Sequence, residues 1–195
     1  SRQGAGERLS EKQFPYIFYK SRYAQRKPIG SMVVVRNAPR ERFEEFYKDW
    51  YRPELMGVIV VGDIDGKDVE QRIKDVFGKL ENDEDATERT PSEVPDHEES
   101  LYSIDTDPEL TIASFRMLLK RPVGPDQSAR DYRQMIVERL YFGMLNRRLD
   151  ERAREPNPPY IQASAGNSRI AREKEALQQS VVFIEDHYQE GLDAL

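Results

Sequence analysis

The run Phe46-Tyr-Lys-Asp-Trp-Tyr-Arg-Pro-Glu-Leu-Met-Gly-Val-Ile-Val-Val-Gly-Asp63 limits what this chain can fold into more than any other stretch. Just upstream, Phe43, Phe46, Tyr47 and Trp50 fall at i, i+3, i+4 and i+7, which predicts a helix over Asn37 to Tyr51 with one apolar face against a core. Pro39 suits its first turn, and Pro53 stops it, because proline has no N–H to give and its ring clashes with the preceding turn. Leu55 to Val61 is continuously apolar and rich in Val and Ile, as in a strand buried on both faces. Gly62-Asp63 turns the chain. Lys67 to Leu80 then predicts a second helix with Val69, Ile73, Val76, Phe77 and Leu80 inward, capped by Asp63 or Asp65. A fully buried Trp50 predicts that Trp50→Ala costs about 3–5 kcal/mol.

Elsewhere the pattern is less uniform. Glu7 to Phe18 reads as a helix limited by Pro15, and Tyr23 to Gly30 as a surface loop. Residues 81–99 hold nine acids, one base and two prolines, with almost nothing to bury, so they read as a solvated linker. Beyond it, Ser100 to Asp105 and Leu110 to Lys120 read as strands and Asp126 to Arg154 as a long helix. Tyr160 to Asn167 and Ser180 to Asp186 read as two more strands, joined by a polar connection and followed by a helix. Strands with helices gathered to one side predict an α+β layered fold, a sheet backed by helices. The expected organisation is a first domain over 1–80, the acidic linker over 81–99 and a second domain over 100–195. The absence of an initiator Met at Ser1, and a last helix that stops without a cap, lead to the expectation that the chain is a piece of a longer protein.

Composition removes several function classes. The 30 Lys and Arg are scattered under a net charge of -6, so no basic stripe supports nucleic-acid binding. No apolar run approaches the roughly 20 residues of a membrane helix. Without Cys there is neither a disulfide framework nor thiol chemistry. Catalytic zinc needs about three His, Cys or carboxylate ligands. The two histidines, His97 and His187, are far apart in sequence and neither has a second His at helical spacing. His97 with Asp96, Glu98 and Glu99 is the one local group with metal-binding residue types, and His187 reads as a surface residue. No Gly-x-Ser-x-Gly is present, and Gly62-Asp63-Ile-Asp-Gly66 lacks the spacing of a phosphate loop, so it reads as a tight turn. No catalytic, cofactor-binding or metal-ligating residue is assigned from the sequence.

Phe43 to Pro53, followed by Met56-Gly-Val-Ile-Val-Val-Gly-Asp-Ile-Asp65, resembles the late part of a catalytic domain in the insulinase/pitrilysin family of zinc metallopeptidases. Ser21 to Gly30 is similar to the preceding loop of bacterial members, and the layout of 100–195 resembles the first half of the family's next domain, which is non-catalytic. In that family zinc is held by the two His of H-x-x-E-H and a later Glu. The resemblance implies that this third ligand lies a few residues before Ser1; Glu7 or Glu11 becomes a candidate only if the alignment slips. It also implies repeated α+β domains of the mitochondrial processing peptidase type, enclosing a peptide or unfolded protein substrate, with strand edges as the contact surface.

The expectation is therefore a part of a zinc endopeptidase that supplies framework and chamber wall, with zinc in the full-length parent, no cofactor in this chain, and no activity or tight zinc binding alone. Its partners would be the substrate and the remaining domains of the parent, not nucleic acid or a membrane. By resemblance to exported bacterial members it would be periplasmic. The alternative is a non-catalytic scaffold or peptide-binding member of the same family. An upstream H-x-x-E-H with its later Glu separates the two. An unrelated α+β binding module is the third reading.

Overall fold

The computed structural model describes residues 4–82 and 86–194. Ser1–Gln3, residues 83–85 of the expected linker and Leu195 lie outside it. The chain divides into two compact units, one built from Ser1–Lys27 with Ser92–Leu195 and the other from Pro28–Pro91. These divisions differ from the expected boundaries at residues 80 and 99.

The first unit is a sheet backed by a helix. Helix α1 spans Ala5–Ile17 and continues past Pro15 for two residues. Strand β1 (Ser114–Pro122) leads to the long helix α5 (Ala129–Arg152), then β2 (Gln162–Ala171), β3 (Lys174–Val182) and the short helix α6 (Tyr188–Asp193). The antiparallel sheet has the order β1-β3-β2. Ser128 starts α5 with a reciprocal cap: its Oγ accepts from the Asp131 N–H at 3.2 Å, and Asp131 Oδ2 accepts from the Ser128 N–H at 2.9 Å. The Ser128 hydroxyl also donates to Asp131 Oδ2 at 2.7 Å, and this bond, followed by the one from the Ser128 N–H, holds the Asp131 carboxyl below its ordinary range.

The core lies between the C-terminal half of α5 and one face of the sheet. Leu149, Tyr160, Ala163, Val181 and Phe183 form it, flanked by Leu145, Ala153 and Ala194. Tyr160 is fully buried, and its hydroxyl donates to the Leu149 carbonyl at 3.0 Å. Burial raises its pKa, the direction for a phenol whose ionised form loses water. Further along α5 the contact becomes polar: Glu138 receives Asn167 Nδ2 at 2.7 Å and Arg121 Nη2 at 3.4 Å.

The polar stretch between the last two expected strands is itself strand. β2 runs to Ala171 and β3 starts at Lys174, with only Arg172 and Glu173 turning between them. Ladder hydrogen bonds and cross-strand polar pairs hold it, among them Arg121 Nε to Glu175 Oε1 at 2.6 Å.

The second unit contains α2 (Met32–Asn37), α3 (Arg40–Trp50) and α4 (Gly66–Phe77). The α3 and α4 helices fall where the periodicity puts them; α2 was not expected. Asp65, not Asp63, caps α4, with its Oδ1 accepting from Lys67 N–H at 2.8 Å and Asp68 N–H at 3.2 Å.

Two expected strands are absent. After a single 3-10 turn at Pro53–Leu55, residues 56–61 form no ladder, and Ile59 and Val61 are 88% and 90% exposed. A strand exists only against a neighbour that takes its main-chain hydrogen bonds, and no described residue does so here. Ser100 to Asp105 likewise forms no strand. The apolar face of α3 does not enter a core either, since Phe43, Phe46 and Tyr47 are exposed and Trp50 is only half-buried.

Candidate functional site

The sequence-derived candidates are scattered, and most already have partners. Glu7 lies exposed in the first turn of α1. Glu11 Oε1 is 2.7 Å from Lys27 Nζ. His97 packs edge-on to Tyr19, with ring centroids 5.5 Å apart, and its Nδ1 lies 2.7 Å from the Glu99 carbonyl. Asp96 is paired with Lys174 Nζ at 2.6 Å, and that hydrogen bond lowers its pKa. His187 starts α6, its Nδ1 3.8 Å from Glu190. Among the described residues no three His, Cys, Asp or Glu side chains converge on a point where a metal could sit.

Arg52 of the Tyr-Arg-Pro corner is buried at 8% exposure. Its Nη2 donates to the Thr87 carbonyl at 3.2 Å. Its Nε lies 3.0 Å from Glu54 Oε1, but too poorly aligned for a directed hydrogen bond, and Nη1 has no hydrogen-bond partner among the described residues. A cavity of about 810 Å³ borders it, lined by Trp50, Glu54, Leu55 and the chain from Ala86 to Arg89. Arg52 thus anchors the Ala86–Arg89 stretch to the corner.

The two outer edges of the sheet differ. Phe183 N–H donates to the Ala113 carbonyl at 2.9 Å and Val123 N–H to Glu173 at 3.2 Å, so odd-numbered residues of β1 face β3. The main-chain groups of Ser114, Arg116, Leu118 and Lys120 therefore point to the other side, where no described residue bonds to them. Along β2 the outward residues are Ala163, Ala165, Asn167 and Arg169. There the Asn146 amide accepts from the Ala165 N–H at 2.8 Å and donates to its carbonyl at 2.9 Å. One edge is clamped and the other open. Sequence reasoning named strand edges without deciding between them, because the decision rests on pairing register and on one helix side chain.

Lys120 sits at the open edge, its Nζ donating to the Ile17 carbonyl at 3.2 Å. Partial burial, and secondarily Lys174, lower its pKa.

Comparison with known proteins decides the lineage. The model of the peptidase M16 inactive domain matches residues 37–155. The chain belongs to the M16 family, the insulinase/pitrilysin peptidases. Within that family it is 31% identical over 172 residues to the "Zinc protease PQQL-like" protein of Arabidopsis thaliana, covering 87% of this chain and 18% of that protein. It is 28% identical over 195 residues to the probable zinc protease PqqL of Escherichia coli (strain K12), covering 99% of this chain and 21% of PqqL. The chain spans about a fifth of the length of these relatives. The crystal structure of the first half of the periplasmic protease PqqL from Escherichia coli superposes with a TM-score of 0.85 at 26% identity, covering 100% of this chain and 42% of that one. The α+β fold is that of M16 peptidases.

Proposed function

We propose that this chain supplies framework and chamber wall to a zinc-dependent M16 endopeptidase, and none of its catalytic residues. The observation that carries this reading is the match of residues 37–155 to the family's inactive domain. In this reading residues 1–80 end a catalytic-type domain, 81–99 connect, and 100–195 begin a non-catalytic domain. Zinc belongs to the parent, held by residues outside this sequence.

The partners are a peptide or unfolded protein substrate and the remaining domains of the parent. The unpaired run from Met56 to Val61 supports the second: its apolar residues are suited to a sheet that other parts of the parent complete. The open edge of β1 supports an extended partner that adds as a further strand. The relative PqqL is a periplasmic protease, and we place this protein in the periplasm as well. No described helix is long and apolar enough to cross a membrane.

The test compares the 195-residue chain with the full-length parent. The parent should contain H-x-x-E-H and a later Glu, bind zinc stoichiometrically and cleave unfolded protein; the chain alone should do neither. Stoichiometric, sub-micromolar zinc binding by the chain in a calorimetric titration refutes the reading. A parent without the motif turns it into the alternative, a non-catalytic scaffold of the same family.

A further inference from the structure

We propose that residues 5–24 are a strap that locks the N-terminal segment to the sheet unit at two separate points, making the two one cooperative unit across the intervening residues 28–91. At its start, Arg8 grips Asp107 side-on with one edge of its guanidinium, Nε to Oδ2 at 2.8 Å and Nη2 to Oδ1 at 2.7 Å, and Nη2 also reaches Glu109 Oε2 at 2.9 Å. The Asp107 side chain is only 7% exposed. A planar fork on a nearly buried carboxylate fixes orientation as well as distance. At the other end, Lys120 of β1 donates to the Ile17 carbonyl at 3.2 Å, at the helix end where carbonyls lack partners and a cation is favoured. Just beyond, the buried Ser21 donates its hydroxyl to the Glu93 carbonyl at 2.5 Å.

Arg8 and Ile17 lie roughly 14 Å apart along the helix. One clasp would leave α1 free to pivot, whereas two at that separation fix its direction. The partners are 99, 103 and 72 residues away in sequence, so each clasp closes a very long loop. The strap rests on the proposed function in one respect: it is that reading which assigns α1 to a catalytic-type domain. The consequence is a mechanical one. The segment that enters this chain from the upstream side is held by the sheet that follows, and the two move together.

The test is hydrogen exchange followed by mass spectrometry on the complete 195-residue chain. In the wild type, amides of residues 9–17 should be protected together with those of β2 and β3. Arg8→Ala should speed their exchange by about tenfold while β2 and β3 change by less than about twofold. The swapped pair Arg8→Glu with Asp107→Arg should restore protection. Exchange of α1 at the rate of an unstructured peptide in the wild type, or unchanged exchange in Arg8→Ala, overturns the strap. Should Arg8→Ala unfold the sheet, carbodiimide cross-linking of the wild type decides. A Lys12 link to Asp107 or Glu109 is expected, since Lys12 Nζ lies 3.4 Å from the Thr106 carbonyl beside them; its absence refutes the docking. Neither readout involves zinc or proteolysis, so failure here is distinct from failure of the peptidase reading.

Discussion

The side-chain amide of Asn146 occupies both main-chain groups of Ala165, accepting its N–H at 2.8 Å and donating to its carbonyl at 2.9 Å. Helix α5 in this way does at one residue of β2 what a neighbouring strand would do. Ala165 is buried, so removing the amide strands two polar groups away from water. Asn146→Ala should lower stability by about 1–3 kcal/mol, read as a lower urea midpoint at constant slope. Asn146→Asp should recover only part of that, since a carboxylate accepts but cannot donate. An unchanged midpoint for the alanine variant would remove the clamp.

Gly191 is packed against the ring of Phe183. A Cβ there would meet Phe183 Cδ1 at 2.7 Å, Cε1 at 3.0 Å and the Pro159 carbonyl oxygen at 3.2 Å. Phe183 belongs to the core and has little room to yield. Gly191→Ala gains up to about 1 kcal/mol of helix propensity but overpacks the contact by about 1–3 kcal/mol. A net destabilisation is expected in thermal melts; a variant that melts higher contradicts the packing.

Asp107 gives acid stability a specific origin. Its hydrogen bonds from the Arg8 guanidinium hold its pKa at about 2, below the ordinary carboxylate value. A carboxylate lowered on folding contributes stability that is fully present above its unfolded pKa, near 3.9, and is lost as pH falls through the folded value. Urea midpoints of the wild type and Asp107→Asn should therefore differ most above about pH 4 and converge as pH falls toward about 2. A difference independent of pH over that window would exclude the carboxylate as its cause.

The second unit makes the opposite prediction from a buried strand. Ile59 and Val61 are exposed, so Val61→Lys should change the stability of this chain by less than about 0.5 kcal/mol. Trp50, half-buried, should lose about 1–2 kcal/mol on truncation to Ala rather than the 3–5 of a full core position. In the full-length parent both substitutions should be markedly more damaging, measured as loss of soluble protein. Equal tolerance in the two settings would leave the exposed apolar run without a partner.

How much of this was legible depends on how local each signal is. The helices α3, α4 and α5 follow from periodicity and breakers, and a cap for α4 from the two aspartates before it, between which only the hydrogen bonds of Asp65 decide. The Met56–Val61 run is apolar enough for a buried strand, but a strand is a relation between two segments, and its neighbour is not written in its own residues. The turn at Arg172–Glu173 was hidden for a different reason. Ser168, Arg169, Lys174 and Glu175 show no apolar alternation, although all four lie in the β2–β3 ladder, with Glu175 also paired to Arg121. The clasp of Arg8 on Asp107 joins residues 99 apart and has no sequence signature at all.

Pro122 ends β1 at an even position, on the side that faces away from β3. Any newcomer zipping onto that flank can bond at Ser114, Arg116, Leu118 and Lys120, then meets a ring with no donor to offer. Growth of the sheet outward is thus permitted but bounded, with its stopping point fixed in the primary structure.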